Sequence, residues 1–451
     1  MGPKGKHPST GDLFQQPLAE LINHKHPLVT LATLIDWSVF ETRWAEFFPS
    51  RTGRPASSPR LIAGLLYLQH TFACSDEDLV WTWVENPYWQ HFCGETYFQH
   101  EPPIDPSSMT RWRQRVGEEG VEWLLTETIE AARRGKVVKA KSFEKIIIDT
   151  TVMEKAVAYP TDSRLLERGR QHLVKLAGAL GITLRQNYNR EAPRLAAQVG
   201  RYAHAKQFRR MKASLKSLRT IVGRVWRDID RKLDHQDDAQ CAKATSILAR
   251  IKRLLEQKPK DKNKLYSLHA PEVECISKGK ARQPYEFGVK VTVATTHKEG
   301  LVVGMRSLPG NPYDGHTLPE AIEQIAILTE QKPKAVYVDK GYRGVSVDGV
   351  TIWRSGQKRG VTPSIRKAIH RRSAIEPAIG HMKNEGKLRR NWLKGSLGDA
   401  LNAVLCGAGH NLRMILRAIR LFYVWILSFF IAETECRPSH EQVFRQLAPA
   451  G

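Results

Sequence analysis

Two aspartates follow apolar runs of the chain and could stand in a catalytic centre. Asp149 ends the β-branched run KIIID, and Asp339 ends the short apolar run AVYVD. We therefore predict that each Asp closes a β-strand, at the edge where the functional groups of α/β sheets gather. Carboxylates there are suited to hold a divalent metal ion such as Mg²⁺. Periodicity alone does not show that the two strands are neighbours, and each Asp could instead cap a turn.

A third carboxylate, Glu376, is framed by two cations at helical spacing. Arg372, Glu376 and Lys383 are separated by four and seven residues, which places them on one face of a predicted helix. Such a carboxylate can ligate a metal ion while the neighbouring cations contact phosphate oxygens. An ordinary ion-paired surface helix has the same spacing, and Glu385 is a rival carboxylate on another face.

The charge of the chain predicts a polyanionic partner. Its 451 residues carry a formal net charge of +24 and the sequence pI is ≈ 9.8, an excess that nucleic acid would neutralise. Anionic lipid, or a protein that is merely basic, would fit the same numbers. Lys340 and Arg343, which follow Asp339, are candidate phosphate contacts under the first interpretation and plain turn residues under the others.

Cysteine spacing and the two ends of the chain limit the class of protein. The six Cys have no paired short spacing, which argues against a zinc module or a disulfide framework and favours a reducing compartment. The first residues lack the apolar core of a secretory signal. Residues 421–432 carry no charge but are fewer than the roughly 20 residues that span a bilayer. We therefore expect a cytoplasmic protein that does not span a membrane, in which this segment is a buried helix, with a membrane-surface or oligomer contact as the alternative.

The region over residues 36–120 predicts several short helices. Aromatic and aliphatic residues recur there at helical spacing, separated by turns rich in Pro and Gly. In SSMTRWRQRVG, a capped helix would carry Arg111 and Arg113, and basic helical units often bind DNA phosphates. Equally well, these two arginines could be solvated side chains on a helical domain that packs against the rest of the protein and does not bind DNA.

A strongly basic helical block follows the first predicted strand, over residues 163–262. Its main segment predicts an amphipathic helix whose opposite face is cationic. If that face tracks DNA phosphates, binding should fall steeply with salt. The apolar positions are Phe208, Met211, Leu215, Leu218, Val222, Val225 and Ile229, and the candidate DNA contacts are Lys206, Arg209, Arg210 and Lys212.

Without that block, the remaining pattern is strand, strand, strand, helix, strand, helix, strand, helix, the order of a mixed α/β sheet. The chain length suggests several units. We predict an N-terminal arm over 1–30, a helical domain for DNA binding or assembly over 31–120, a catalytic domain over 140–162 and 270–420, a basic helical insertion over 163–269, and a C-terminal helix and tail over 421–451.

Taken in order, the three acidic motifs resemble those of the DDE transposases of bacterial insertion sequences. The last signature of that family is similar to Tyr, two residues, Arg, three residues, Glu, six residues, Lys. Arg372, Glu376 and Lys383 match its last three positions, while Ile369 stands where the Tyr would be. IIIDTTV resembles the first-Asp strand of the family and YVDKGYRG its second-Asp motif. The resemblance is greatest to the insertion-sequence family numbered five, whose members carry a helical N-terminal domain.

The resemblance implies a fold, a metal site and a reaction. The implied fold is an RNase H-like mixed sheet flanked by helices, with an all-α N-terminal domain. Asp149, Asp339 and Glu376 would hold Mg²⁺, with Mn²⁺ as a substitute, while Arg372 and Lys383 would contact DNA. In the family's reaction, water cleaves the transposon end, and the liberated 3′-hydroxyl then attacks target DNA.

The resemblance also implies partners. These are double-stranded DNA, the terminal inverted repeats of the transposon and target DNA, bound by a homodimer at the nucleoid. A metal-dependent nuclease on the same fold and a non-catalytic DNA-binding protein derived from a mobile element are the alternatives. A weaker signal is GNPYDGHTL, whose Asn311, Asp314 and His316 resemble a polar motif near the family's active site, although a turn or a helix cap explains them nearly as well.

Overall fold

The structure is a computed structural model that describes residues 16–47, 57–233, 238–258, 261–262, 264–277 and 284–435. Residues 1–15 of the predicted arm and residues 436–451 of the predicted tail lie outside the described residues. Within the described ranges, no helix combines the length and the apolarity needed to cross a membrane.

Helices and strands are numbered in chain order. The helices are α1 (Leu18–Leu21), α2 (Pro27–Leu34), α3 (Ser38–Arg43), α4 (Pro59–Phe72), α5 (Asp76–Glu85), α6 (Pro87–Phe92), α7 (Ser108–Arg134), α8 (Asp162–Ala179), α9 (Glu191–His204), α10 (Phe208–Leu233), α11 (Asp238–Glu256), α12 (Leu318–Thr329), α13 (Pro363–His370), α14 (Ile375–Asn384) and α15 (Gly395–Glu435). The strands are β1 (Lys145–Lys155), β2 (Glu274–Ser277), β3 (Tyr285–Thr296), β4 (Val302–Leu308), β5 (Ala335–Val338), β6 (Thr351–Arg354) and β7 (Arg390–Asn391). Short 3₁₀ helices cover Trp44–Phe47, Ala140–Glu144, Asp314–Thr317 and Arg371–Ala374.

The seven strands form one mixed sheet whose central strand is β1. β3 runs antiparallel to β1 on one side, and β5 runs parallel to it on the other. β6 extends the sheet parallel to β5, whereas β2 and β4 pair with successive parts of β3. The mixed α/β class predicted from the sequence is therefore confirmed.

Two details of the predicted strand pattern are wrong. Asp149 does not close β1, because the strand continues to Lys155; beyond the Asp it still pairs with β3, and its last residues also pair with β7. A helix was expected between β5 and β6. The described residues 339–350 instead form turns and one bridge between Val347 and Val350.

Local sequence signals explain the N-terminal helices. Pro occupies the first turn of α2, α4 and α6, where its missing N–H costs nothing. Ser75 caps α5 by accepting from the amide of Asp78. The predicted cap of α7 is wrong, since the Ser107 side chain makes no capping bond. α7 bends at Gly117, whose φ of 64° lies in the left-handed region that favours glycine.

One continuous core joins the N-terminal helices to the sheet. α4 and α7 pack against α15, which in turn packs against β4, and buried residues from all four belong to one cluster. The boundary that we predicted at residue 120, at the end of the helical domain, falls inside α7, and α7 belongs to this shared core. Leu421 and Phe422, which begin the segment predicted to be a buried helix, are exposed on α15, so that prediction is wrong at this end. The side chains of residues 424–432 lie outside the described residues.

The basic block between β1 and β2 contains four helices, α8 to α11, which pack around a second core. On α10, the first residue buried in this core is Leu218, whereas Leu215 is only half-buried at the edge of the core. The first two turns of α10 therefore project beyond it, and Phe208 is 55% exposed. The apolar stripe predicted for α10 is thus buried in its second half alone.

A buried ion pair ties the end of β1 to α15. Lys155 Nζ lies 2.6 Å from Asp399 Oδ1 and 3.0 Å from Glu272 Oε1. Asn391 of β7 donates to the same Asp399 oxygen at 2.6 Å. Burial raises the pKa of Asp399, and the Lys155 ammonium opposes this shift. The pair fixes the strand that carries Asp149 to the longest helix of the protein.

Two buried histidines make the stability of the fold depend on pH. Burial lowers the pKa of His70 to about 3 and that of His410 to about 4. Because the folded pKa lies below the unfolded value of about 6.5, protons bind the unfolded chain more tightly, and stability falls as the pH drops from about 6.5 towards 4. We expect each histidine to cost about 2 kcal/mol of unfolding free energy between pH 7 and pH 5.

Urea unfolding at pH 7 and pH 5 would measure this loss. Replacing His410 with Gln should shrink the difference between the two pH values by about 2 kcal/mol. His204, which is exposed at the end of α9, supplies the matched control. An equal pH dependence in His410→Gln and in the wild-type chain would contradict the prediction.

Candidate active site

The sheet places Asp149 and Asp339 side by side. The parallel pairing of β1 with β5 ends at Ile147 and Tyr337. Asp149 lies two residues further along β1, whereas Asp339 directly follows Val338, the last residue of β5. Both carboxylates therefore lie where this pairing ends, and both approach the Arg372 guanidinium. The sequence alone could not show that these strands are adjacent.

One guanidinium brings together the three predicted carboxylates. Arg372 Nη1 donates to Asp149 Oδ2 at 3.1 Å, and Nη2 donates to Glu376 Oε1 at 3.2 Å. Arg372 Nη2 also lies 3.9 Å from Asp339 Oδ1. The Arg372 side chain is only 13% exposed. The side chain predicted to contact DNA is therefore paired with the predicted metal ligands in this structure.

The donor set suits a hard divalent cation, although the carboxylates are not yet spaced as ligands. Among the described residues, no group of three His, Cys, Asp or Glu side chains has the arrangement of a metal site. The carboxylates of Asp149, Asp339 and Glu376 nevertheless surround one positive group, and carboxylate oxygen is the ligand type that Mg²⁺ prefers. The three residues therefore supply the donor chemistry that such an ion needs, and in this structure the positive group that they share is Arg372.

A fourth carboxylate, Asp314, lies next to this cluster. Thr150 Oγ1 donates to Asp314 Oδ1 at 3.2 Å, and Lys290 Nζ lies 3.0 Å from the same oxygen. Asp314 stands in the polar motif GNPYDGHTL, so that weaker signal marked a residue near the cluster. In the same motif, Asn311 adopts a φ of 43° in a turn and the His316 ring packs against Tyr313.

Tyr342 is buried beside the acids. Its burial, and then the charges of Asp314, Asp149 and Asp339, raise its pKa far above the usual range. The Tyr342 side chain thus packs against the acidic cluster.

Cations line two cavities beside the cluster. Lys340 and Arg343 are exposed and line a cavity of ≈ 460 Å³ with Arg354. A second cavity, of ≈ 570 Å³, has Arg372 in its wall together with Lys358 and Arg366. Positive side chains around an acidic centre can hold the phosphates on either side of a reacting phosphodiester.

Lys383 and Glu385, the predicted alternative to Glu376, have different surroundings from the three acids around Arg372. Lys383 lines a separate cleft with Arg389 and Arg390. Glu385 is bound to Arg417 and His381, at 2.6 Å each, and these contacts lower its pKa. Of the two glutamates, only Glu376 therefore contacts Arg372.

The predicted DNA contacts outside the cluster differ in exposure. Arg113 is 4% exposed, and its guanidinium binds Asp76 and Gln69, so it holds α5 against α7 and is not available to DNA. Its partner Asp76 is far away in the sequence, which is why spacing could not reveal the pairing. The other predicted contacts are exposed, namely Arg111, Lys206, Arg209, Arg210 and Lys212.

Comparison with known proteins identifies two family matches. Residues 16–115 match the family described as "Transposase domain (DUF772)", and residues 238–398 match the family described as "Transposase DDE domain". The second range contains Asp339, Arg372 and Glu376, whereas Asp149 precedes it.

A curated relative and the solved structures were compared as well. The chain is 49% identical over 203 residues to the uncharacterized protein ORF8 in the nfe locus of Rhizobium meliloti, a match that covers 45% of this chain and 98% of that protein. No solved structure matches the chain. With both transposase families matched and this relative covered almost completely, the chain belongs to the DDE transposases of the insertion-sequence type and is a DNA transposase.

Proposed function

We propose that this transposase cuts DNA at the ends of its own element and joins the freed 3′-hydroxyl to target DNA. Asp149, Asp339 and Glu376 would hold the divalent metal ions, Mg²⁺ in the cell and Mn²⁺ as a substitute. The observation that carries the proposal is the convergence of these three carboxylates on the Arg372 guanidinium. A silent DNA-binding protein would have no use for three acids gathered at the end of a parallel strand pair.

The sheet supports an RNase H-like catalytic domain. Its central strand has an antiparallel neighbour on one side and a parallel neighbour on the other. Two of the acids lie where that parallel pairing ends, which is where α/β sheets place functional groups. We propose accordingly that residues 140–162 and 270–420 form the catalytic domain, and that residues 31–120 serve DNA binding or assembly.

The reaction needs groups that stabilise charge on oxygen. When a phosphodiester is attacked, negative charge builds on the attacking and leaving oxygens, and a pair of bound divalent ions would stabilise both. The three carboxylates orient those ions. Lys340, Lys358 and Arg366 line the flanking cavities and would grip the neighbouring phosphates, which fixes the strand for in-line attack.

A reaction with defined substrates tests the proposal. The purified full-length chain would be incubated with a plasmid that carries the inverted repeats flanking its gene, together with a target plasmid. We expect nicks or breaks at the repeats and joined products with Mg²⁺ or Mn²⁺, and neither product with EDTA. Cutting without joining would point to the nuclease alternative, and binding without cutting to the non-catalytic alternative.

Synapsis of two transposon ends also needs two active sites, and we propose that a homodimer supplies them. The double-stranded substrates are then the two terminal repeats and the target, at the nucleoid of the cytoplasm. Sedimentation of the full-length chain with and without repeat DNA would test this assembly.

The projecting part of α10 is our proposed contact with DNA outside the active site. Between Glu191 and Asp228 the chain has ten Arg and Lys residues and no acid. Arg209, Arg210 and Lys212 are exposed on the two turns that precede the core of the insertion. Cations on a projecting helix can reach the phosphates of a duplex without disturbing the helical core.

Replacing Arg209, Arg210 and Lys212 with Ala should weaken DNA binding most at low salt. Each lost phosphate contact should lower the slope of log K against log salt by about 0.9. Fluorescence anisotropy with a duplex between 50 and 300 mM salt would measure the slope. The matched control removes three exposed cations of α8, which are Arg164, Arg168 and Lys175. A slope that the α10 variant leaves unchanged would remove the insertion from the DNA path.

A further inference from the structure

We propose that a cleft beside the active site binds an unpaired nucleotide of the DNA substrate, with its base stacked on Trp392. The inference rests on the proposed function and deepens it by assigning a second DNA site and its ligand. The cleft has a volume of ≈ 630 Å³ and lies between the start of α5 and residues 383–393, a size suited to one small organic ligand.

One wall of the cleft is cationic. Arg389 and Arg390 are exposed along it, and Lys383 lines it where α14 ends. Lys387 has a structural task, since its Nζ donates to the carbonyl of Cys74 at 2.5 Å. Two exposed guanidinium groups can pair with the phosphates of a DNA backbone.

The opposite wall is acidic, which favours one strand over two. Asp76 there is neutralised by Arg113, but Glu77 and Asp78 are exposed. These carboxylates repel a second phosphate backbone, and they can accept hydrogen bonds from the amino groups of a base. The charge distribution of the cleft therefore suits an unpaired nucleotide whose backbone follows the cationic wall.

Trp392 supplies the stacking surface. Its side chain is 69% exposed, directly after β7, so packing in the core does not explain it. The Arg390 guanidinium lies 5.0 Å from the centroid of the indole ring. An exposed aromatic ring beside cations is the arrangement with which proteins bind single-stranded nucleic acid.

The cleft lies along the path of a strand that leaves the active site. Lys383 is seven residues beyond Glu376 on α14, a rise of about 10 Å. β7 pairs with Glu154 of β1, five residues beyond Asp149, a length of about 17 Å. Measured along these two elements, the cleft lies about 10 to 17 Å from the acids, so the stacked base would belong to a nucleotide close to the cleaved phosphate.

Oligonucleotide binding to the full-length chain tests the inference. Fluorescein-labelled oligodeoxycytidylate, whose bases carry amino groups, and a duplex of the same length would be titrated at one fixed salt concentration. We expect Trp392→Ala to weaken binding of the single strand about tenfold, and binding of the duplex less than twofold. Trp392→Phe should restore most of the single-strand binding, because an aromatic ring is retained.

The matched control is Trp81→Ala, because Trp81 is also exposed but does not line the cleft. This variant should bind both oligonucleotides like the wild type. Equal losses for single strand and duplex in Trp392→Ala, or no loss for either, would overturn the inference. If that variant still cuts transposon ends, the proposed function stands; a wild-type chain that binds neither oligonucleotide would overturn both.

Discussion

Asp149→Asn should lower strand cleavage at the transposon ends on the order of 10³-fold or more. When several catalytic groups act as a unit, removing any one of them abolishes most of the rate enhancement. The amide keeps the shape of the side chain but removes the charge that orients metal ions. Binding of end DNA should remain largely intact, since phosphate contacts come from other residues. Cleavage of a labelled end fragment and binding of the same fragment would measure both effects.

The other two acids give a matched set of variants. Asp339→Asn and Glu376→Gln should lose cleavage in the same way. Glu385→Gln is the control nearby in the sequence, since Glu385 is bound to Arg417 and His381 and not to Arg372. Near wild-type cutting by any of the first three variants would remove that residue from the site, and loss of cutting in Glu385→Gln would show that the wrong glutamate was chosen.

Arg372→Gln should change metal binding and cleavage in opposite directions. The guanidinium lies between the three carboxylates, so it competes with any cation that they bind. Partial exposure screens this competition, and we expect Mn²⁺ to bind the variant about tenfold more tightly in the absence of DNA. Cleavage should nevertheless fall about 10²-fold, because the group no longer contributes its charge to the reacting phosphate.

Electron paramagnetic resonance of Mn²⁺ titrated into DNA-free protein would measure this affinity. Arg366→Gln is the matched control, because Arg366 lines the same cavity as Arg372 but, in the part of the chain that the structure describes, it is Arg372 that pairs with all three acids. Unchanged or weaker Mn²⁺ binding by Arg372→Gln would show that the guanidinium does not compete with the metal. The opposing signs separate this role from a loss of folding, which would lower both quantities.

Most elements of the sheet could be predicted because their signals are local. β-branched runs marked β1 and β3, and turn residues separated them from α12. The end of β1 was misplaced because its continuation depends on pairing with β3 and β7, which are far away in the sequence. The same dependence on remote partners hid the pairing of Arg113 with Asp76.

The candidate site was predicted in its residues but not in its geometry. The order of the motifs pointed to Asp149, Asp339 and Glu376, and the four-residue spacing of Arg372 and Glu376 predicted their contact. Nothing local could show that Arg372 also reaches Asp149, or that Asp314 approaches through Thr150. Those contacts arise because α14 packs against β1 and because β3 brings the segment after β4 beside β1, and periodicity carries no information about which elements pack together.

The insertion between β1 and β2 delays the pairing of β1 with β5 while the chain is being synthesised. Lys145 of β1 pairs with Ala335 of β5, so the ribosome must add roughly 190 residues, about 10 to 40 s of synthesis, before the first Asp gains its neighbour. The four helices in between have a separate core and can fold during that interval. A nascent chain would thus acquire the basic surface that we propose binds DNA before its acids could come together, while its apolar first strand remains without its parallel partner.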